Sequence, residues 1–140
     1  MIVVDTNVIS ELAKSTPHES VLRWFEQQTT EPLFLTSVSV AELRIGVHSM
    51  PEGKRKRQLD QFVTGVVEGI FRDRIMPFDY AAAEIYALLV PKMKSQGLNI
   101  KAHDLMIAAI AMQFDTPVAT RNVKDFEPCG VEIINPFETK

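Results

Sequence analysis

Five short apolar runs separated by longer stretches of helical period constrain this chain more than any other feature. The runs are IVV at 2–4, LFLTS at 33–37, RIMPF at 74–78, PVAT at 117–120 and VEII at 131–134. Between them the apolar residues recur at three-and-four spacing, the signature of helices with one buried face. The pattern predicts helices over about 8–14, 18–28, 38–49, 51–71, 79–96 and 101–114. The fourth places Leu59, Phe62, Val63, Val66, Val67 and Ile70 on its apolar side. Asp79 is suited to cap the fifth, and Gly97 to end it. The sixth is apolar on nearly every side from Leu105 to Met112, which predicts the most buried helix of the chain. Strands joined by helical crossovers, with no two-residue hairpins, must pair largely in parallel. The expected product is a three-layer α/β/α sandwich around a mainly parallel five-stranded sheet, a single domain over residues 1–140.

In such sheets ligands gather beyond the carboxyl ends of the strands, where strand order reverses. The residues that leave each strand therefore carry the functional question. Asp5 leaves the first strand, Glu42 lies on the helix after the second, Asp104 opens the buried sixth helix, and TRNVKDF follows the fourth strand. Each acid has a structural explanation. Asp5 can cap the first helix, Asp104 can face the positive end of its helix dipole, and Ser39 with Glu42 fits a capping box. Capping alone does not require all three to converge on one edge of the sheet. Two carboxylates about 5 Å apart repel by roughly 3 kcal/mol at an effective dielectric near 20, so three together call for a proton or a cation. Oxygen ligands without histidine or cysteine select Mg²⁺ or Mn²⁺, and such an ion activates water against a phosphoryl centre. Phosphoester hydrolysis is the reaction this implies.

Composition removes several alternatives. Hydrophobic residues make up 46% and charged residues 24%, a globular balance. No run approaches the roughly 20 apolar residues that span a bilayer. The start of the chain shows no export signal, which makes the cytoplasm the expected location. Cys129 is the lone cysteine, and His18, His48 and His103 are too dispersed for a zinc site. A net charge of −3 disfavours whole-surface adhesion to nucleic acid but leaves room for a local basic patch. GKRKR at 53–57 reads first as a solvated helix face. Trp24 and Phe25 read as core or partner-facing residues. His103 stands beside Asp104, but adjacent helical residues point in different directions, so a general-base role is not assigned to it.

The segments VVDTNVISEL, SVSVAELRIGV, HDLMIAAIA and VATRNVKDFE together resemble, in order and spacing, PIN-domain ribonucleases of the VapC toxin family, especially the FitB-like branch. The resemblance extends over essentially the whole chain. It implies a Mg²⁺- or Mn²⁺-dependent endoribonuclease, the toxin of a type II toxin–antitoxin pair. Asp5, Glu42 and Asp104 match the metal-binding acids, Thr6 and Asn7 the polar residues after the first aspartate, and Thr120 the threonine that orients the site. Asn122 stands where many members carry a fourth acid, and Asp125 is three residues further on. His103 replaces a residue that is commonly small. Arg44, Arg121 and Lys124 are candidate contacts for RNA or antitoxin. The resemblance also implies a cognate antitoxin lying along a groove, a toxin homodimer within the complex, and operator DNA bound only through the antitoxin.

Two other readings compete. One is a domain that keeps the antitoxin groove but cleaves weakly because of Asn122. The other is a Mg²⁺-binding phosphotransfer module, although an aspartate-nucleophile phosphatase expects a second Asp where this chain has Asn7.

Overall fold

The computed structural model describes residues 1–29 and 32–138. Its elements run β1 (Ile2–Val4), α1 (Thr6–Leu12), α2 (Glu19–Gln27), β2 (Leu33–Thr36), α3 (Ser37–His48), α4 (Lys54–Gly65), a π-helical turn (Val66–Ile70), β3 (Ile75–Met76), α5 (Tyr80–Ser95), α6 (Ala102–Gln113), β4 (Val118–Ala119), α7 (Val123–Phe126), a 3₁₀ turn (Glu127–Cys129) and β5 (Ile133–Ile134). The strands form one sheet in the order β3-β2-β1-β4-β5, and every pairing is parallel. β1 sits at the centre. Successive connections step outward on one side through β2 and β3, then return to the other side with β4 and β5. Order therefore reverses between β1 and β4, whose Val3 and Val118 are register partners.

The period-two alternation of β1 divides the core. Val3 faces the cluster built with Leu105, Ile107 and Ile110 of α6, Leu89 and Met93 of α5, and Phe126. Ile2 and Val4 face the opposite cluster, with Val8 and Ile9 of α1, Val21 and Trp24 of α2, Leu43 and Val47 of α3, and Val63 of α4. These are the outer layers of the α/β/α sandwich. α6 buries Asp104, Leu105, Ile107, Ala108, Ala109, Ile110 and Ala111, more positions than any other helix, as its all-round apolarity predicts. Each fully buried isoleucine is worth about 1.5–3 kcal/mol, so α6 anchors the residues at its first turn firmly. Trp24 is buried, and its ring meets Phe25 edge-on at 5.1 Å.

Three local expectations need correction. The stretch 51–71 is not one helix. Gly53 adopts φ 152°, a backbone state that favours glycine, so α4 starts only at Lys54. The helix then widens, with Phe71 N–H donating to Val66 O at 2.9 Å across an i→i−5 turn. The extra residue rotates the register, burying Phe71 and leaving Ile70 57% exposed instead of on the apolar face. The expected capping box of Ser39 and Glu42 does not form, because α3 begins earlier. Thr36 is its N-cap and accepts from Ser39 N–H at 3.1 Å. This frees Glu42 from a capping duty.

Candidate active site

The chain leaves β1 at Asp5 and β4 at Thr120, so the order reversal itself brings these two residues side by side. Asp5 N–H donates to Ala119 O at 2.9 Å. Asp5 is the N-cap of α1, its Oδ1 accepting from Thr6 N–H at 2.7 Å, as its structural reading expects. Its other oxygen, Oδ2, accepts from Thr120 Oγ1 at 2.8 Å and from Asn7 Nδ2 at 3.0 Å. Thr120 is fully buried beneath the site, and its hydroxyl accepts in turn from Asn122 N–H at 2.9 Å. Asn7 Oδ1 accepts from Arg121 N–H at 3.1 Å, tying the turn after β4 to the first turn of α1.

The other two acids arrive on helices. Thr6 Oγ1 donates to Glu42 Oε1 at 2.7 Å and lies 2.9 Å from Ser39 Oγ, so the β1–α1 junction fixes the α3 carboxylate directly. Asp104, buried in the first turn of α6, accepts from Asn122 Nδ2 at 3.2 Å on Oδ2. Asn122 therefore serves Asp104 as a hydrogen-bond donor through its amide. His103 comes closer to the acids than its sequence position suggested, with Nε2 3.3 Å from Glu42 Oε2 and 3.6 Å from Asp104 Oδ1.

Asp5, Glu42 and Asp104 line one cavity of about 420 Å³. Burial pushes the Asp5 carboxyl up to about 6, with the charges of Asp104 and Glu42 adding to the rise and the Thr120 and Thr6 hydrogen bonds opposing it. Asp104 is also raised, by burial first and then by the nearby charges of Asp125 and Glu42, against the effect of His103. Asp125 thus acts on the site electrostatically without lining the cavity. The two aspartates sit where an ionised carboxylate is unfavourable unless a positive charge joins them.

Of the opposite wall the sequence marked only Asn7 and Arg121. Asn7, Ser10, Glu11 and Lys14 line the cavity from one side of α1 and its exit, at a three-and-four spacing that could have signalled it. Glu11 is buried and its carboxyl is lowered from the usual carboxylate value, held there first by its hydrogen bond from Lys14 at 2.8 Å and also by His18 N–H at 3.0 Å. Arg121 and Phe137 complete this wall. The arginine's Cζ lies 4.5 Å from the ring centroid. Nothing in the sequence beyond an aromatic residue following the last strand marked Phe137.

Two suggested contacts fall elsewhere. Arg44 does not line the cavity; its guanidinium reaches Thr64 Oγ1 at 3.0 Å and Asp60 Oδ1 at 3.3 Å on α4. Lys124 is exposed on α7 outside the cavity. The GKRKR segment opens α4 as a largely solvated face, with Lys56 paired to Glu52 at 2.7 Å.

Every carboxylate and hydroxyl on the acidic side offers a hard oxygen, the donor chemistry of Mg²⁺ or Mn²⁺. Among the described residues no three His, Cys, Asp or Glu side chains converge tightly enough to form a metal-holding group. Glu42 is instead drawn toward Thr6 and His103. The arrangement suits an ion held by one or two carboxylates and completed by water and substrate oxygens, the usual habit of Mg²⁺.

A parallel sheet whose order reversal gathers these acids defines a PIN domain, and the family model of that description matches residues 2–127. The chain is 44% identical to the VapC ribonuclease Y4jK of Sinorhizobium fredii, over 99% of each chain. It is 39% identical to toxin FitB of Neisseria gonorrhoeae, over 98% of this chain and 99% of the other. Among solved structures it is similar to FitAB bound to an IR36 DNA fragment, with a TM-score of 0.91, 38% identity and coverage of 100% and 98%. The chain belongs to the VapC family of PIN-domain toxins, in the branch that includes FitB.

Proposed function

We propose that this protein is a Mg²⁺- or Mn²⁺-dependent endoribonuclease and the toxin of a type II toxin–antitoxin pair. The observation that carries the reading is the meeting of Asp5, Glu42 and Asp104 on one cavity at the strand-order reversal. The names of its relatives, a VapC ribonuclease and a toxin, support the same activity. Asp5 and Asp104 would hold the metal, and Glu42 stands beside them. When bound, the metal polarises a phosphoryl oxygen and acidifies water for attack on phosphorus. The chain's own part is positioning. Thr120 and Asn7 fix the Asp5 carboxylate, Asn122 fixes Asp104, and Thr6 holds Glu42 toward the cavity as the group that takes up the water's proton. Hydrolysis then forms a bond from the water oxygen to phosphorus and breaks the bond to the leaving ribose oxygen, which takes a proton from solvent, and Glu42 returns its proton to solvent.

The partner reading rests on similarity to FitAB and on a second groove. Leu43, Gly46, Leu59, Phe62 and Val63 line an apolar hollow of about 210 Å³ that shares Thr6, Ser10 and Glu42 with the cavity. An antitoxin segment lying there would reach the acids directly. The protein would act in the cytoplasm as a homodimer within that complex, touching operator DNA only through the antitoxin. No helix among the described residues is long and apolar enough to cross a membrane. Phosphotransfer to Asp5 is disfavoured, because Asn7 stands where an aspartate-nucleophile phosphatase needs a second Asp.

The test is cleavage of an RNA oligonucleotide by antitoxin-free protein with Mn²⁺, beside Asp5→Asn. Cleavage by the wild type alone is expected. Equal and negligible cleavage by both would sink the enzyme and leave the antitoxin-binding module.

A further inference from the structure

Besides His103, which faces the acids, Lys14 and Arg121 line the cavity, and they are not equivalent. Lys14 is committed to Glu11 at 2.8 Å. The Arg121 guanidinium has no carboxylate within salt-bridge distance among the described residues, although its field reaches Glu11. What it has is a ring. Phe137 lies under it at 4.5 Å, and the turn that carries Phe137 is secured on three sides. Phe137 N–H donates to Asn135 Oδ1 at 3.1 Å, its carbonyl accepts from Ser20 Oγ at 3.2 Å, and its ring meets the His18 ring edge-on at 5.6 Å. A guanidinium lying against an aromatic face keeps its edge of N–H donors available, and that fork matches the oxygens of a phosphate. The wall opposite is acidic, so a cation on this side favours the approach of a polyanion and sets where its backbone lies.

We propose that Arg121 is the phosphate-holding cation of the cavity, gripping a backbone phosphate of single-stranded RNA next to the one that reacts, and that Phe137 is its positioning residue. The proposal rests on the ribonuclease reading. It also extends the site beyond the family match, which stops at residue 127. Arg121 holds by charge and fork geometry, while Phe137 touches no substrate and acts through the arginine. The contact positions the strand and reads no base.

Steady-state cleavage of an RNA oligonucleotide at several salt concentrations tests this, with Arg121→Gln, Arg121→Lys, Phe137→Leu, Phe137→Tyr and the double variant Arg121→Gln/Phe137→Leu. Leucine preserves apolar packing and removes the π face; tyrosine keeps the ring. Arg121→Gln should raise KM about tenfold, with the loss in KM rather than kcat, and should flatten the logarithmic salt slope by about 0.7, the value for one single-strand phosphate contact. Arg121→Lys should recover only part of the loss, since lysine lacks the fork. Phe137→Leu should raise KM about threefold, as an exposed cation–π contact predicts, and Phe137→Tyr should restore it. The double variant should match Arg121→Gln alone, because Phe137 has nothing left to position.

An unchanged KM and salt slope in Arg121→Gln would overturn the proposal, and so would additive effects in the double variant. Weakened binding of the antitoxin's carboxyl-terminal peptide by Arg121→Gln, with RNA kinetics unmoved, would also overturn it and assign the arginine to the partner. If the wild type itself neither binds nor cleaves RNA, the ribonuclease reading fails first.

Discussion

Asp5 and Glu11 are buried carboxylates six residues apart on the same cavity, and they have opposite electrostatics. Burial and two neighbouring acids raise Asp5 to about 6, whereas Lys14 and the His18 amide hold Glu11 low. The chain supplies Glu11 with its own cation, and it supplies Asp5 with more negative charge. A carboxylate with a structural task is neutralised by its surroundings. A carboxylate raised by burial and by like charge on a cavity wall is a candidate for binding something from outside.

The largest expected effect breaks the acidic wall. Asp5→Ala should lower RNA cleavage and cellular toxicity by at least about 10³-fold, since it removes a carboxylate to which the proposed mechanism gives the metal. The fold should survive. Losing the N-cap costs about 1 kcal/mol, but the variant also loses a buried charge whose rise from 3.8 to about 6 corresponds to an opposing term on the order of 3 kcal/mol. Circular dichroism and the thermal midpoint at pH 8 check folding; a folded, fully toxic Asp5→Ala would remove Asp5 from the mechanism.

The next effect separates the two carboxylates by the sign of their pH dependence. The Asp5 carboxyl is raised in the folded state, so its stabilising contribution is full below 3.8 and is lost as pH rises through about 6. Glu11 is lowered, so its contribution is present above 4.5 and is lost as pH falls toward its folded value. Metal-free thermal midpoints of Asp5→Asn and wild type should therefore diverge between pH 4 and 7, as the wild type loses ground. Added Mg²⁺ at pH 8 should raise the wild-type midpoint and leave Asp5→Asn nearly unmoved, because an ion that binds only the folded state stabilises it by mass action. Equal Mg²⁺ shifts in both proteins would place the ion elsewhere.

Two members of the acidic wall were legible in the sequence because one follows a strand and the other opens a helix, each with a strong pattern. Asp5 leaves Ile2–Val4, and Asp104 opens the all-apolar α6, so topology alone brought them together. The wall of Glu11, Lys14, Arg121 and Phe137 was not legible as a unit. Its members come from one side of α1 and from two loops, and no local period connects residue 14 to residue 137. Glu42 was read with a capping box beside it, which the earlier start of α3 abolished. The π turn escaped for a related reason: one extra residue in a helix leaves the apolar spacing nearly intact until Ile70 is already facing water. His103 was set aside because neighbours on a helix diverge, yet its ring reaches across to Glu42 on α3.

The smallest effect comes from cations outside both walls. Arg44 follows the acid-bearing position on α3 by two residues, which in a helix turns it about 200° from Glu42. Its guanidinium is accordingly spent on Asp60 and Thr64 of α4. Asp60 is half exposed, and an ion pair of that kind contributes about 0–1 kcal/mol. Arg44→Ala should thus shift the thermal midpoint by no more than about 3 °C and change KM for RNA by less than about twofold, in contrast to the tenfold expected of Arg121→Gln. A rise in KM for Arg44→Ala equal to that of Arg121→Gln would mean that substrate is attracted by the whole basic periphery. The unpaired arginine on the cavity wall would then have no special claim on the phosphate, and the division between a neutralised and an open wall would lose its functional meaning.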